Sequence, residues 1–289
     1  MKYEITGHTK LTGLLGSPVA HSISPMMHNE AFHILGLDYR YLAFDVDQTQ
    51  LKNAVEGLRA IGVRGFNLTM PDKVLICDML DELSLESQIA GSVNTVLNDG
   101  GKLIGYTTDG AGFSRALAED GICVRGSKMT ILGAGGAAVS IMVRAALEGA
   151  EEITVFNRAS LHFKRAEKVM EKLQERTNCR LHIIDLSKED CLKKEILESN
   201  ILVNGTSVGM SPKEEGCLIP NPKFLHKDLY VFDAIYNPRE TKLLKMAGEN
   251  GCRTSNGLNM LLYQGAEAFK IWTGEEMPVE IIKEKYFNC

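Results

Sequence analysis

The chain has 289 residues, 44% of them hydrophobic and 24% charged, enough apolar material for two cores of ordinary size. A net charge of -5 offers no broad basic field for phosphate backbones, which argues against a nucleic-acid partner. Seven widely spaced cysteines without a Cys-x-x-Cys pair read as reduced thiols in a cytoplasmic protein, and the opening "MKYEITGHTK" lacks the apolar stretch of an export signal. The longest uncharged run, 129 to 143, is too short and too interrupted by glycine to cross a bilayer, so no membrane partner is expected. Oligomeric state is not set by composition, and a homodimer is compatible with it.

From the amino terminus, runs rich in β-formers alternate with segments of helical period: "LTGLLG", "SPMMHNEAFHILG", "YRYLAFDV", "LKNAVEGLRAIG" and "RGFNLT". That order predicts an α/β layered sheet with mainly parallel strands. Ser24 before Pro25 predicts a helix entry with Ser24 as the cap, and Gly36 a stop. In "FNLTMPDK", Pro71 suits a first helical turn, which puts Lys73 near the positive end of the helix dipole. "VLNDGGKLIGY" has turn-forming residues between two apolar runs and predicts a β-hairpin, hence a mixed sheet.

A helical stretch from about 110 to 120 follows, and a boundary is expected near Asp109 to Gly112. A second series then runs through "KMTILGAGGAA", "EEITVFNR", "CRLHIIDL", "SNILVNGT" and "DLYVFDAIYNP", strand candidates that predict a doubly wound domain. Apolar residues at 258, 261, 262, 266, 269 and 272 trace one face of a final helix.

"ILGAGGAA" sets Gly133, Gly135 and Ala138 in a G-x-G-x-x-A pattern between a strand and a helix. The first glycine permits a tight turn, the second a close approach of backbone to a pyrophosphate, and the small third residue helix packing on the strand. A glycine turn used only for packing is the alternative. At the end of the next strand, where an NAD enzyme of the common type carries an acid, Asn157 and Arg158 stand instead. A guanidinium suits a 2′-phosphate, which favours NADP over NAD, with Lys164 and Arg165 adding charge; the alternative is a solvated arginine at a helix start. The seven histidines show no ligand spacing, and no metal is expected.

In order and at similar spacing, "HSISP", "NLTMPDK", "AGSVNT", "GYTTDGAGF", "LGAGGAA", "VFNR", "NGTSVGM", "IYNP" and "NGLNMLLYQGAEAF" resemble the motifs of the shikimate dehydrogenase family, especially its quinate/shikimate dehydrogenase branch. The resemblance implies an α/β fold in two domains. A substrate domain over 1–109, completed by C-terminal helices in 257–289, is joined to a Rossmann-like nucleotide domain over 110–256. It implies reversible reduction of 3-dehydroshikimate to shikimate with NADP or NAD, with quinate as the alternative substrate. Lys73 and Asp109 correspond to the family's catalytic pair. Ser22 and Ser24 correspond to carboxylate contacts, and Asn67, Thr69, Asn94, Tyr236 and Gln264 to hydroxyl contacts or pocket wall. For the cofactor it points to Gly133, Ala134, Gly135, Gly136, Ala137 and Ala138, to Asn157, Arg158, Ala159 and Ser160, and to Thr206, Ser207 and Met210. Ala234, Ile235, Tyr236, Gly257 and Met260 complete that set.

The chemistry agrees with these residue types. A small carboxylate with three hydroxyls needs an anion anchor and two-way hydrogen-bonding groups, and an alcohol losing hydride needs a group to take its proton. Read alone, Lys73 is a snorkelling surface lysine and Asp109 a helix cap. The chain departs from the family pattern at Thr107, where asparagine is usual, at Asn256, where aspartate is common, and at Ser160, where the branch often has aspartate. A ligand sensor that keeps the fold without turnover is the reading from another class.

Overall fold

The computed structural model describes residues 5–69 and 72–287. Strands β1 (Lys10–Gly16), β2 (Tyr39–Asp45) and β3 (Gly65–Leu68) alternate with helices α1 (Ser24–Ile34) and α2 (Leu51–Ala60). Next come β4 (Glu82–Leu83), α3 (Leu85–Ala90), β5 (Thr95–Asp99), β6 (Lys102–Tyr106) and α4 (Asp109–Glu119). The second series is β7 (Lys128–Leu132), α5 (Gly136–Glu148), β8 (Glu152–Asn157), α6 (Leu161–Gln174), β9 (Arg180–Asp185) and α7 (Glu189–Glu198). It continues with β10 (Ile201–Asn204), β11 (Tyr230–Asp233), α8 (Lys242–Glu249) and β12 (Arg253–Ser255), followed by α9 (Leu258–Thr273) and α10 (Val279–Tyr286). Two compact units result: one runs to Thr108 and resumes at Leu262, inside α9, and the other is Asp109–Leu261.

In the first unit the sheet order is β2-β1-β3-β5-β6-β4. β1 lies parallel to β2 and β3, whereas β5 is antiparallel to both β3 and β6. The expected hairpin is β5–β6, and its two loop residues, Gly100 and Gly101, have φ of +60° and +97°. Positive φ at both positions is the signature of a type I′ turn, whose twist suits the strands. Leu15, Leu51, Phe66, Ile76 and Val96 form one apolar cluster of this unit. An aromatic cluster of Phe32, Tyr41, Phe269 and Trp272 joins α1 and α9 to the sheet. Gly65 makes room for it, since a Cβ there would lie 2.3 Å from Trp272 Nε1, which donates to the Val96 carbonyl at 3.0 Å.

Two local expectations are corrected. Pro71 lies outside the described residues; beyond it, Asp72 to Val74 form a turn and Leu75–Met79 a short 3-10 helix, so Lys73 does not open an α-helix. Five residues sum little dipole, and the Val93 N–H donation to the Lys73 carbonyl, 2.8 Å, is what fixes this turn. Ser24 is the first residue of α1 and not its cap, which is Ile23. The Ser22 hydroxyl accepts from the Ser24 N–H at 3.2 Å.

The second unit holds an all-parallel sheet in the order β12-β11-β10-β7-β8-β9. Counted from its own first strand, that is the 3-2-1-4-5-6 order of a doubly wound domain, which reverses direction between β7 and β10. The sixth strand, β12, escapes the pattern reading because three residues are too few to show a period. Phe156, Leu202, Leu229, Val231 and Leu244 lie in its apolar core. No helix among the described residues is long and apolar enough to cross a membrane.

Candidate functional site

In the second unit, side chains gather where the sheet reverses direction, the place where open α/β sheets take ligands. Gly133 has φ +102°, and a Cβ there would stand 2.6 Å from the Thr206 methyl. A Cβ on Gly205 would meet that of Ala138 at 2.7 Å, so the glycine turn, the start of α5 and the segment after β10 fit only because these residues are small. Gly135, the cap of α5, faces open space. The cradle therefore leaves free the one position where a pyrophosphate needs backbone access, and it fits a dinucleotide at the α5 amino end.

Beside it, the loop after β8 is held by its own side chains. Asn157 Nδ2 donates to the Arg158 carbonyl at 2.9 Å and to Ser160 Oγ at 3.2 Å, so its amide hydrogens are used within the loop. Ser160 caps α6, accepting from the Phe163 N–H. Arg158, Ala159 and Ser160 are exposed.

A third segment, Asn204 to Met210, is anchored by groups that the motifs did not single out. Asp233 is fully buried, accepting from Asn204 Nδ2 at 3.0 Å, the Ile235 N–H at 3.0 Å and Thr241 Oγ1 at 2.7 Å. Burial pushes the Asp233 carboxyl up from its ordinary range, and these hydrogen bonds oppose that. Asn204 Oδ1 in turn accepts from the Thr206 hydroxyl at 2.7 Å, and Thr206 Oγ1 accepts from the Val208 N–H. Ser207 and Met210 are exposed on this segment. Gly257 hydrogen-bonds the Ile235 carbonyl, and a Cβ there would strike the Ala234 carbonyl at 2.2 Å. Tyr236 is partly exposed and Met260 is buried.

In the first unit a chain of buried polar side chains runs across β2, β3, β5 and α9. The Tyr41 hydroxyl donates to Asn67 Oδ1 at 2.8 Å. Asn67 Nδ2 donates to the Asn94 carbonyl at 3.1 Å and to Thr95 Oγ1 at 3.0 Å. Asn94 Oδ1 accepts from the Thr108 N–H at 2.8 Å, and its Nδ2 donates to Thr108 Oγ1 at 3.0 Å and Gln264 Oε1 at 3.3 Å. Asn67, Asn94 and Gln264 are thus brought together, and Tyr41, Thr95 and Thr108 join them. Thr69 abuts Gly16 with its methyl, 2.3 Å from where a Cβ would sit, so that methyl is committed to the turn after β1. Lys73 is half-buried, and Asp109 is buried as the first residue of α4, directly after Thr108. Asp72 is fully buried, and neither carboxylate oxygen has a hydrogen-bond partner among the described residues. Burial, and then nearby Asp47, push its pKa up. Among the described residues no group of three or more acidic, histidine or cysteine side chains could hold a metal.

Residues 14–96 match the shikimate dehydrogenase substrate binding domain, and residues 257–285 the shikimate 5′-dehydrogenase C-terminal domain. A shikimate dehydrogenase (NADP(+)) of Listeria innocua is 52% identical over 283 residues, covering 98% of this chain and 97% of that one. The chain belongs to the shikimate dehydrogenase family. The Listeria monocytogenes shikimate 5-dehydrogenase solved in complex with shikimate and NAD is 51% identical, with a TM-score of 0.93 over 98% of both chains. A quinate dehydrogenase from Corynebacterium glutamicum, in complex with NAD, is 28% identical, with a TM-score of 0.85 over 96% of this chain and 98% of that one.

For a shikimate dehydrogenase family member, the residues missed by motif reading share one trait. Tyr41, Thr95, Thr108, Asp233 and Thr241 bind other side chains of the site, and each looks like an ordinary strand or cap residue in sequence. The legible signal was adjacency: Thr95 and Thr108 sit beside motif residues in "NT" and "TDG".

Proposed function

We propose that this protein interconverts shikimate and 3-dehydroshikimate with a nicotinamide cofactor, NADP before NAD. The observation that carries this reading is its 51% identity and TM-score of 0.93 to an enzyme solved with shikimate and NAD. Shikimate is favoured over quinate because relatives named for it are near 50% identical across the chain, against 28% for the quinate dehydrogenase. The first unit is read as the substrate-binding domain, and Asp109–Leu261 as the nucleotide domain. Six described cysteines are free thiols, in keeping with a cytoplasmic site of action.

When bound, the nicotinamide supplies the hydride acceptor and donor. Around it, the chain's own groups bind, orient and move a proton. Ser22 and Ser24 are assigned to the substrate carboxylate, and Asn67, Thr69, Asn94, Tyr236 and Gln264 to its hydroxyls or the pocket wall. The network from Tyr41 to Gln264 supports this because it fixes amide and hydroxyl orientations before substrate arrives, which lowers the ordering cost of binding. Lys73 and Asp109 are assigned the proton of the reacting hydroxyl. The glycine turn, residues 157–160, Thr206, Ser207, Met210, Ala234 to Tyr236, Gly257 and Met260 are assigned to the cofactor.

Absorbance of the reduced nicotinamide, followed with shikimate and quinate and with each cofactor, tests the reading. Turnover of shikimate with kcat/KM above that of quinate is expected. Lys73→Ala and Asp109→Ala should each lower kcat by about 10²-fold or more. Tight shikimate binding without turnover would favour a sensor instead.

A further inference from the structure

The end of β8 normally carries the acid that selects an unphosphorylated ribose, and here it carries Asn157 and Arg158. A carboxylate nonetheless stands at that place. Asp185 ends β9 and pairs in register with Asn157, and its Oδ2 accepts from the Ala159 N–H at 3.2 Å. Its Oδ1 accepts from the Ser187 N–H at 2.8 Å, which fixes the carboxylate toward the β8 loop. We propose that Asp185 is a specificity-determining residue: a carboxylate lent by the neighbouring strand, it opposes the 2′-phosphate of NADP and narrows the preference over NAD that Arg158 supplies. The inference rests on the nucleotide site proposed above.

Three observations carry it. First, the charge is real at neutral pH, because hydrogen bonds from Ser187, and then that from Ala159, hold the carboxyl below its ordinary range. Second, the Ala159 N–H, a donor that faces the nucleotide-binding end of the strands, is already taken by Asp185 and is not left for a phosphate oxygen. Third, the loop cannot swing away to separate the charges easily. Asn157 ties the Arg158 carbonyl to Ser160, and Ser160 is committed to the α6 cap. Arg158 attracts the 2′-phosphate while Asp185, one strand over, repels it. Two relatives fit such a balance, the Listeria innocua enzyme being named for NADP(+) and the Listeria monocytogenes one solved with NAD.

The test is direct binding of NADPH and NADH, by nucleotide fluorescence, to the wild-type protein and to Asp185→Asn, Asp185→Ser and Asp185→Glu. Thermal melting of each variant establishes that it is folded. Both neutral variants should lower the ratio of Kd for NADPH to Kd for NADH by about three- to tenfold, the range for one charge a few ångströms from a phosphate near a surface. Asp185→Glu, which keeps the charge, should not. A ratio that changes by less than about twofold in both neutral variants, with NADH still bound by the wild type, overturns the inference and leaves the proposed function standing. Failure of the wild type to bind either nucleotide overturns both.

Discussion

Asn94 and Thr108 exchange two hydrogen bonds, the Thr108 N–H donating to Asn94 Oδ1 at 2.8 Å and Asn94 Nδ2 to Thr108 Oγ1 at 3.0 Å. Both residues are buried, so each bond replaces one to water that neither can regain in the folded state. Asp109 follows Thr108 directly in the chain.

Asn94→Ala therefore strands the Thr108 N–H and removes one of the donors to Gln264 Oε1. A stability loss of about 2–3 kcal/mol is expected from the orphaned groups, read as a lower urea midpoint at unchanged m-value. Because Asn94 is also proposed to contact the substrate, kcat/KM for shikimate should fall beyond what unfolding explains, with a raised KM. An unchanged KM in the folded fraction would remove Asn94 from substrate contact.

The glycine turn offers a paired prediction in which two neighbouring residues fail differently. Gly133→Ala forces an L side chain to φ +102° and drives its Cβ to 2.6 Å from the Thr206 methyl, so the melting temperature should drop, by about 2–4 kcal/mol of stability. Gly135→Ala meets nothing within 4 Å and has φ -74°, so melting should be unchanged while affinity for nucleotide falls severalfold. Calorimetric titration with NADPH beside a melting curve reads both outcomes.

These glycines were legible in sequence because the constraint is local: a turn between a strand and a helix admits few residues whatever surrounds it. The β5–β6 hairpin was legible for the same reason, through Gly100 and Gly101. What escaped depends on partners remote in the chain. The Lys73 turn is set by Val93, twenty residues on, so Pro71 was a poor guide to what followed it. Asp233 is the extreme case, since only the folded sheet places it against both Asn204 and Thr241.

Asp72 gives a stability prediction tied to charge. Its carboxyl is raised above the unfolded value, so the folded state favours the protonated form. The stability associated with that proton is fully present below the unfolded pKa and is lost as pH rises through the folded one. Asp72→Asn removes the ionisation, so it should be more stable than the wild type at pH 7 and gain little or nothing near pH 3. Urea midpoints at the two pH values test it, and an advantage that is constant with pH would show that the carboxyl does not titrate differently on folding.

His28 shows the opposite sign. Its ring is fully buried, stacked on Tyr41 at 4.4 Å and 12°, and neither nitrogen has a hydrogen-bond partner among the described residues. Burial pushes its pKa from 6.5 down to about 3. Below pH 6.5 the unfolded chain binds a proton that the folded chain refuses, so wild-type stability falls as pH drops toward 3. The slope is about 1.4 kcal/mol per pH unit once the unfolded imidazole is fully charged. His28→Phe keeps the stack among Tyr41, Phe269 and Trp272 and abolishes this linkage. Between pH 7 and pH 5 the variant should therefore gain about 2 kcal/mol on the wild type, measured by urea unfolding at both pH values. Equal losses in the two proteins would mean that the imidazole finds a proton-accepting partner in the folded state, and the acid sensitivity would then have to be sought at other groups.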